Sequence, residues 1–299
     1  MTKSNTELLI NIKFFLILLS LAGCNHADTN NTISGGETQG IKIVTLSPHL
    51  AEMIFNLDAD EHLVGVSAYT DYPEEAKKLP RIGDAFLLDL EQLSILQPDI
   101  ILAWEGGTSK RVVDELINMG YRVEVIKSNN LEDISTALKI LGEITGKVDK
   151  ANLLTNKYLE DLEALRVNHQ AREDIRVFFQ IDERPLFTVG NIHYISEVID
   201  LCGGVNIFRD LSLLAPSVSI ESVISRDPEI ILTSSEKLDQ NKFEQWNRWP
   251  QITAKKLDNL FYINADQLER PTTRILRATE EICKILAQGR VNRSSAMEK

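Results

Sequence analysis

The sequence predicts an α/β protein of two similarly built lobes joined by one long helix. Three observations lead to that class. From Lys42 onward, short apolar runs alternate with stretches of helical period. The stretch Asp89–Trp104, DLEQLSILQPDIILAW, is echoed without a gap at Ser219–Ser234, SIESVISRDPEIILTS, which pairs Glu91 with Glu221, Leu93 with Val223 and Pro98 with Pro228 at an offset of 130 residues. Between Asp149 and Arg172 there is neither Gly nor Pro, and Leu154, Tyr158, Leu162 and Leu165 recur at helical spacing. The length of 299 residues also exceeds what one core usually takes.

The elements follow in order. Ile43–Leu46 reads as a strand, Pro48–Leu57 as a helix and Leu63–Val66 as a strand. In Asp89–Trp104 an amphipathic segment opens with an acidic residue, stops at a proline that cannot continue a helix, and passes into an acid followed by Ile-Ile-Leu. Such an apolar run suits a strand of a parallel sheet covered on both faces. A recurrent helix–strand unit would give the same echo, so the match alone leaves duplication open. Ser109–Met119 is helical, Arg122–Ile126 a strand and Leu131–Ile144 a helix. After the long helix come a strand at Ile175–Gln180, then Ile192–Leu201, the echo unit, a strand at Leu260–Ile263 and a closing helix from Thr272 to Gln288. The chain thus divides into a leader at 1–23, a leash at 24–40, a lobe at 41–148, the connecting helix at 149–172, a second lobe at 173–290 and a tail at 291–299.

At the start, Lys3 and Lys13 precede an apolar core, Phe14–Gly23, that is too short to span a bilayer and reads as a signal peptide. It ends in Leu21-Ala-Gly-Cys24, which resembles the lipobox of bacterial lipoproteins and implies lipidation of Cys24 and a membrane tether. The following Asn-, Thr- and Gly-rich residues make a flexible leash. In an exported protein the two remaining cysteines, Cys202 and Cys283, are expected to pair across 81 residues, a loop for which chain entropy gives roughly 4–5 kcal/mol.

The 44 acidic against 32 basic side chains give a net charge of −12, which disfavours nucleic acid or an anionic membrane surface as the main partner. Catalytic motifs fail one by one. Gly142-Glu-Ile-Thr-Gly-Lys147 is one residue short of a phosphate loop and lacks the following Ser or Thr, so it reads as a helix end. There is no G-x-S-x-G, no G-x-G-x-x-G and no pair of histidines at ligand spacing, so no enzyme is expected and no metal or cofactor is implied.

Val44-Thr-Leu-Ser-Pro48, Val64-Gly-Val-Ser-Ala-Tyr-Thr-Asp-Tyr-Pro73 and Ala103-Trp-Glu-Gly-Gly107, followed by Cys202-Gly-Gly-Val-Asn-Ile-Phe208 and Leu268-Glu-Arg-Pro271, resemble the periplasmic cobalamin-binding proteins of vitamin-uptake ABC transporters. The likeness covers nearly all of the chain after the leash. It implies two Rossmann-like lobes joined by a backbone helix, the class III periplasmic binding protein architecture, and a monomer that holds cobalamin or a related corrinoid edge-on in the cleft and delivers it to a permease and ATPase. Cobalamin is then cargo. The family's disulfide also falls on Cys202 and Cys283.

Carried over residue by residue, Tyr69 matches the family's corrin-stacking tyrosine, Trp104 its cleft tryptophan and Phe187 an aromatic of the second lobe. The segment Asp266, Gln267, Leu268, Glu269 and Arg270 matches a ligand-contacting loop, with Arg270 as donor to amide oxygens. Trp104 and Phe187 end apparent strands and would equally suit the core; ligand contact is the reading adopted, because strand ends facing a crevice are where α/β folds bind. His49 is expected to be only a helix-start residue. The chain departs from the pattern at Ala215, where a member of the family has tryptophan, at Gln267, and near Ala85-Phe86, where Phe86 replaces a third tryptophan. Glu91 and Glu221 match two acidic knobs that dock on the permease. Favourable placement in the first turn of a helix, worth about 0.3–1 kcal/mol, is the plainer account of both, and docking is the reading adopted. A ferric siderophore or haem receptor of the same fold is the second reading; it would call for more basic and tyrosine side chains.

Overall fold

The computed structural model describes residues 40–84, 87–169, 172–235 and 240–298. Cys24 and Phe86 lie outside the described residues.

The first sheet forms from four parallel strands: β1 (Ile43–Thr45), β2 (Leu63–Val66), β3 (Ile100–Trp104) and β4 (Val123–Ile126), in the order β2-β1-β3-β4. Its helices are α1 (Pro48–Asn56), α2 (Leu90–Leu96), α3 (Lys110–Asn118) and α4 (Leu131–Thr145). A capping box of Asn130 and Asp133 opens α4, and Gly146 at φ 71° closes it, so the Gly142–Lys147 stretch is a helix end. Then α5 (Val148–His169) runs for 22 residues.

The second sheet holds β5 (Ile175–Gln180), β8 (Gly204–Asn206), β9 (Ile230–Ser235) and β10 (Leu260–Asn264) in the order β10-β9-β5-β8, again all parallel. A two-strand hairpin, β6 (Asp182–Glu183) and β7 (Leu186–Phe187), follows β5. The helices are α6 (Tyr194–Leu201), α7 (Ile220–Arg226), the short turns α8 (Thr253–Lys256) and α9 (Ala265–Leu268), and α10 (Ile275–Met297). With the hairpin set aside, the strands of each sheet take the same spatial order by chain succession: second, first, third, fourth.

The echo occupies equivalent places in the two sheets. Each copy is a seven-residue helix whose N-cap side chain, Asp89 or Ser219, accepts from the backbone N–H three residues on. Each ends on a left-handed residue, Gln97 at φ 46° or Asp227 at φ 44°, then enters a strand at Ile100 or Ile230. Leu93 and Val223 are the buried anchors, and Glu91 and Glu221 are both exposed in the first turn. The two copies thus share cap geometry and place in the strand order, though not cap residues.

The long helix is embedded rather than free-standing. Its buried residues Ala151, Thr155, Tyr158, Leu162 and Leu165 form one face, and α5 packs on α4 as well as on α6 and α10. The Tyr158 hydroxyl donates to the Leu131 carbonyl at 2.9 Å. One apolar core therefore runs from Ile43 and Leu50 through Tyr158 and Leu162 to Ile175, Ile230 and Ile282. Cys202 and Cys283 are bonded, with 4.7 Å between Cα atoms, and tie the end of α6 to α10.

The ends of the helices differ from the sequence expectation. Among the described residues α5 reaches His169 and Arg172 is not helical, and the closing helix starts at Ile275. That helix continues to Met297, so most of the 291–299 segment is helical and not a tail. Its polar composition hides it, because polar bonds rather than an apolar stripe hold it. Arg293 donates to the Asp174 carbonyl and the Glu173 and Glu229 carboxylates, and Arg290 to the carbonyls of Glu173, Cys202 and Gly203. No described helix is long and apolar enough to cross a membrane.

Candidate functional site: a cleft at the strand ends

The candidate side chains follow the C-terminal ends of parallel strands, where open α/β sheets bind ligands. Tyr69 lies in the loop after β2 and Trp104 ends β3, while Phe187 closes the hairpin after β5 and Asp266–Arg270 follow β10.

Tyr69 is 79% exposed and left-handed, with φ 63°. That conformation costs a non-glycine residue roughly 1–2 kcal/mol. The loop is pinned from below, which keeps the ring at the rim. The buried Thr70 hydroxyl donates to the Ser67 carbonyl at 2.8 Å, the Ala68 N–H to the Gly83 carbonyl at 2.6 Å, and Arg81 also donates to Ser67.

Trp104 is half-buried, and its indole lies against Gly107, where a Cβ would come within 1.8 Å of Cζ2. Edge-on to the indole is His49, with ring centroids 5.1 Å apart and an interplanar angle of 86°. Burial and then the charge of Arg270 lower the His49 pKa to about 3, so the imidazole is neutral. His49 is thus more than a helix-start residue: it backs Trp104 and lies within the field of Arg270. The Thr45 and Ser47 hydroxyls and His49 Nε2 are buried with no hydrogen-bond partner among the described residues.

The second lobe reaches the turn after Trp104 through Leu214, whose Cδ1 would be 2.9 Å from a Cβ on Gly106 (φ 95°). Leu214 is carried by a segment laid along Phe187–Asn191: Thr188 N–H donates to the Pro216 carbonyl and Gly190 N–H to that of Leu214, and Phe187 bridges to Ser217. Ala215, at the position of the missing tryptophan, is exposed on this segment.

The expected ligand loop at Asp266–Arg270 is instead a helical turn, α9, capped by Asn264 through the Gln267 N–H. Its members consequently diverge. Leu268 is fully buried and belongs to the core rather than to the ligand-facing set. Glu269 accepts from the Ser234 hydroxyl. Arg270 crosses to the first lobe, forming ion pairs with Asp71 at 2.6 Å and Asp266 at 3.0 Å and donating to the Tyr69 carbonyl at 3.4 Å. Burial works against ionisation of Asp71, but the hydrogen bond and charge of Arg270 outweigh it and hold that carboxyl below its usual range. Where the two lobes meet, buried Glu52 of α1 accepts from the Thr272 hydroxyl and from Arg274, whose guanidinium lies 4.0 Å over the Tyr72 ring.

Arg270 is thus tied to the Tyr69 loop through Asp71, Trp104 is backed by His49, and Phe187 lies on the segment paired with that of Leu214. Asp71, Glu52, Arg274 and Leu214 escaped the sequence reading. Asp71 sits inside the quoted Tyr-Thr-Asp-Tyr-Pro stretch, but nothing local announces a partner 199 residues on, at Arg270.

Residues 43–267 match the family described as periplasmic binding protein. The vitamin B12-binding protein of Vibrio cholerae is 30% identical over 272 residues, which span 91% of this chain and 98% of that one. The chain belongs to the periplasmic binding protein family. Its members bind solutes for transport and are not enzymes. The vitamin B12-binding protein of Salmonella typhi is 33% identical over 83% of this chain and 90% of its own. The crystal structure of the periplasmic vitamin B12-binding protein BtuF of Vibrio cholerae matches with a TM-score of 0.77 and 32% identity, covering 84% of this chain and 98% of that one. The periplasmic heme-binding protein RhuT from Roseiflexus matches with a TM-score of 0.74 at 19% identity, a likeness of fold alone, over 84% of this chain and 99% of its own. The chain thus has the class III periplasmic binding protein fold. Among the described residues no group of three or more His, Cys, Asp or Glu side chains is placed to hold a metal ion.

Proposed function

We propose that this chain captures cobalamin or a related corrinoid outside the cytoplasmic membrane and presents it to the permease of an ABC importer. The observation that carries the reading is that Arg270, after a strand of the second sheet, crosses to the Tyr69 loop, while Trp104 ends another strand of the first sheet. Flat rings and a guanidinium there suit a broad macrocycle with amide arms. The names and coverage of the vitamin B12-binding relatives support the same ligand. Phe187, Asp266, Gln267 and Glu269 complete the proposed ligand set, and the Cys202–Cys283 bridge suits an oxidising compartment. A lipid on Cys24 would tether the protein, acting as a monomer, to a membrane surface.

Glu91 and Glu221 serve as docking knobs. Their equivalent, exposed places on twinned helices suit a permease of two like subunits. Against the haem or ferric siderophore reading stand Arg270 and Arg274, which are already answered by carboxylates.

Calorimetric titration of the purified protein with cyanocobalamin, haemin and a ferric siderophore tests the ligand; saturable binding is expected for the corrinoid, and its absence overturns the proposal. The Glu91→Ala/Glu221→Ala pair is expected to abolish uptake with unchanged cyanocobalamin affinity, and equal loss of both would refute docking.

A further inference from the structure

The cross-cleft charges are arranged with a definite hydrogen-bonding sense. Arg270 is the only donor in a trio whose other members, Asp71 from the first lobe and Asp266 from its own turn, can only accept. Its side chain is 13% exposed, whereas those of Asp71 and Asp266 are 47% and 37% exposed, so an approaching ligand meets the carboxylates before the guanidinium. The neighbouring cross-lobe cation, Arg274, is held by the buried Glu52 carboxylate. Three carboxylates thus answer two guanidiniums where the two lobes meet.

We infer that Asp71 and Asp266, sharing Arg270, make this cleft a reader of carboxamides that rejects ligands bearing carboxylates in their place; the inference rests on the corrinoid reading above. A primary carboxamide brings a carbonyl that accepts from Arg270 and an NH2 that donates to Asp71 or Asp266, so every member of the trio keeps a partner. A carboxylate brings acceptors alone. It can accept from Arg270, but it has no N–H for Asp71 or Asp266 and sets its charge beside theirs in a partly desolvated site. The trio therefore selects by charge where the aromatic rings select only by shape, which a porphyrin and a corrinoid largely share.

The test uses two corrinoids that share a macrocycle and differ in peripheral groups: dicyanocobinamide, with carboxamide arms, and dicyanocobyrinic acid, with free carboxylates. Affinities are measured by calorimetry at low salt for the wild type, Asp71→Asn and Asp266→Asn, with melting temperatures recorded alongside. The wild type is expected to prefer the amide form at least a hundredfold. Each substitution, which keeps size and removes charge, is expected to narrow that ratio at least tenfold. Added salt should narrow the wild-type ratio as well, a readout that needs no variant. A wild type without preference, or variants that fold and keep the wild-type ratio, would overturn the inference and leave the corrinoid reading standing. Wild-type protein that binds neither compound overturns both.

Discussion

Replacing Glu52 by alanine removes a carboxylate that bonds the first lobe to Thr272 and Arg274 of the second. Glu52 is 1% exposed and accepts from the Thr272 hydroxyl at 2.7 Å, from Arg274 Nε at 2.7 Å and from Arg274 Nη2. Removing one partner of a buried ion pair costs about 3–5 kcal/mol, because the other charge is left uncompensated. Arg274 keeps 17% of its side chain exposed and its place over the Tyr72 ring, so the lower end, about 3 kcal/mol, is expected. Urea unfolding followed by tryptophan fluorescence measures it, in a cycle with Arg274→Met and the double Glu52→Leu/Arg274→Met. The double variant should recover most of the loss, since an apolar pair leaves no buried charge behind. Hydrogen exchange at Tyr69–Tyr72 should rise in Glu52→Ala, because the loop loses its anchor across the lobes. A Glu52→Ala protein within about 1 kcal/mol of wild type, or a double variant as unstable as the two singles combined, would refute the latch.

Two further outcomes are expected. The folded pKa of His49, about 3, lies below its ordinary value near 6.5, so the unfolded chain takes up a proton first as pH falls; this stability is complete above about pH 6.5 and is lost progressively below it. Between pH 7.5 and 5.0, wild type should therefore lose about 2 kcal/mol more than His49→Gln in urea unfolding, and parallel losses would contradict a neutral buried imidazole. Gly107→Ala places a methyl group where Trp104 Cζ2 lies, at 1.8 Å, so the indole must move. Cyanocobalamin affinity is expected to fall at least tenfold with a shift in tryptophan emission; unchanged emission and affinity would remove Trp104 from the proposed ligand set.

Much of the fold was legible because the local signals and the tertiary outcome agree. The period of Asp89–Trp104 and its echo predicted two helix–strand units, and the structure gives them equal caps and equal places in sheets of equal order. The helix through Leu154–Leu165 was legible from spacing, but its neighbours were not: α5 looks like a strut in sequence and is a packed layer between α4, α6 and α10. The closing helix was under-read because Arg290 and Arg293 hold it through backbone carbonyls and carboxylates, which leave no hydrophobic period. In the candidate site, the aromatic positions came from resemblance, whereas Leu268 went astray because a helical turn faces one member of a motif inward while its neighbours face out.

By itself the sequence determined the α/β class, the twin acidic helices and the cysteine pair expected to join, because periodicity, proline stops and residue type act over a few positions. Only the tertiary structure decided that Arg270 meets Asp71 and Arg274 meets Glu52, and that His49 lies neutral behind Trp104. Those contacts join residues roughly 55 to 220 positions apart, at distances of a few ångströms that no local pattern encodes. Charge on a chain is a count; what it can bind depends on which charges the fold has already spent on one another.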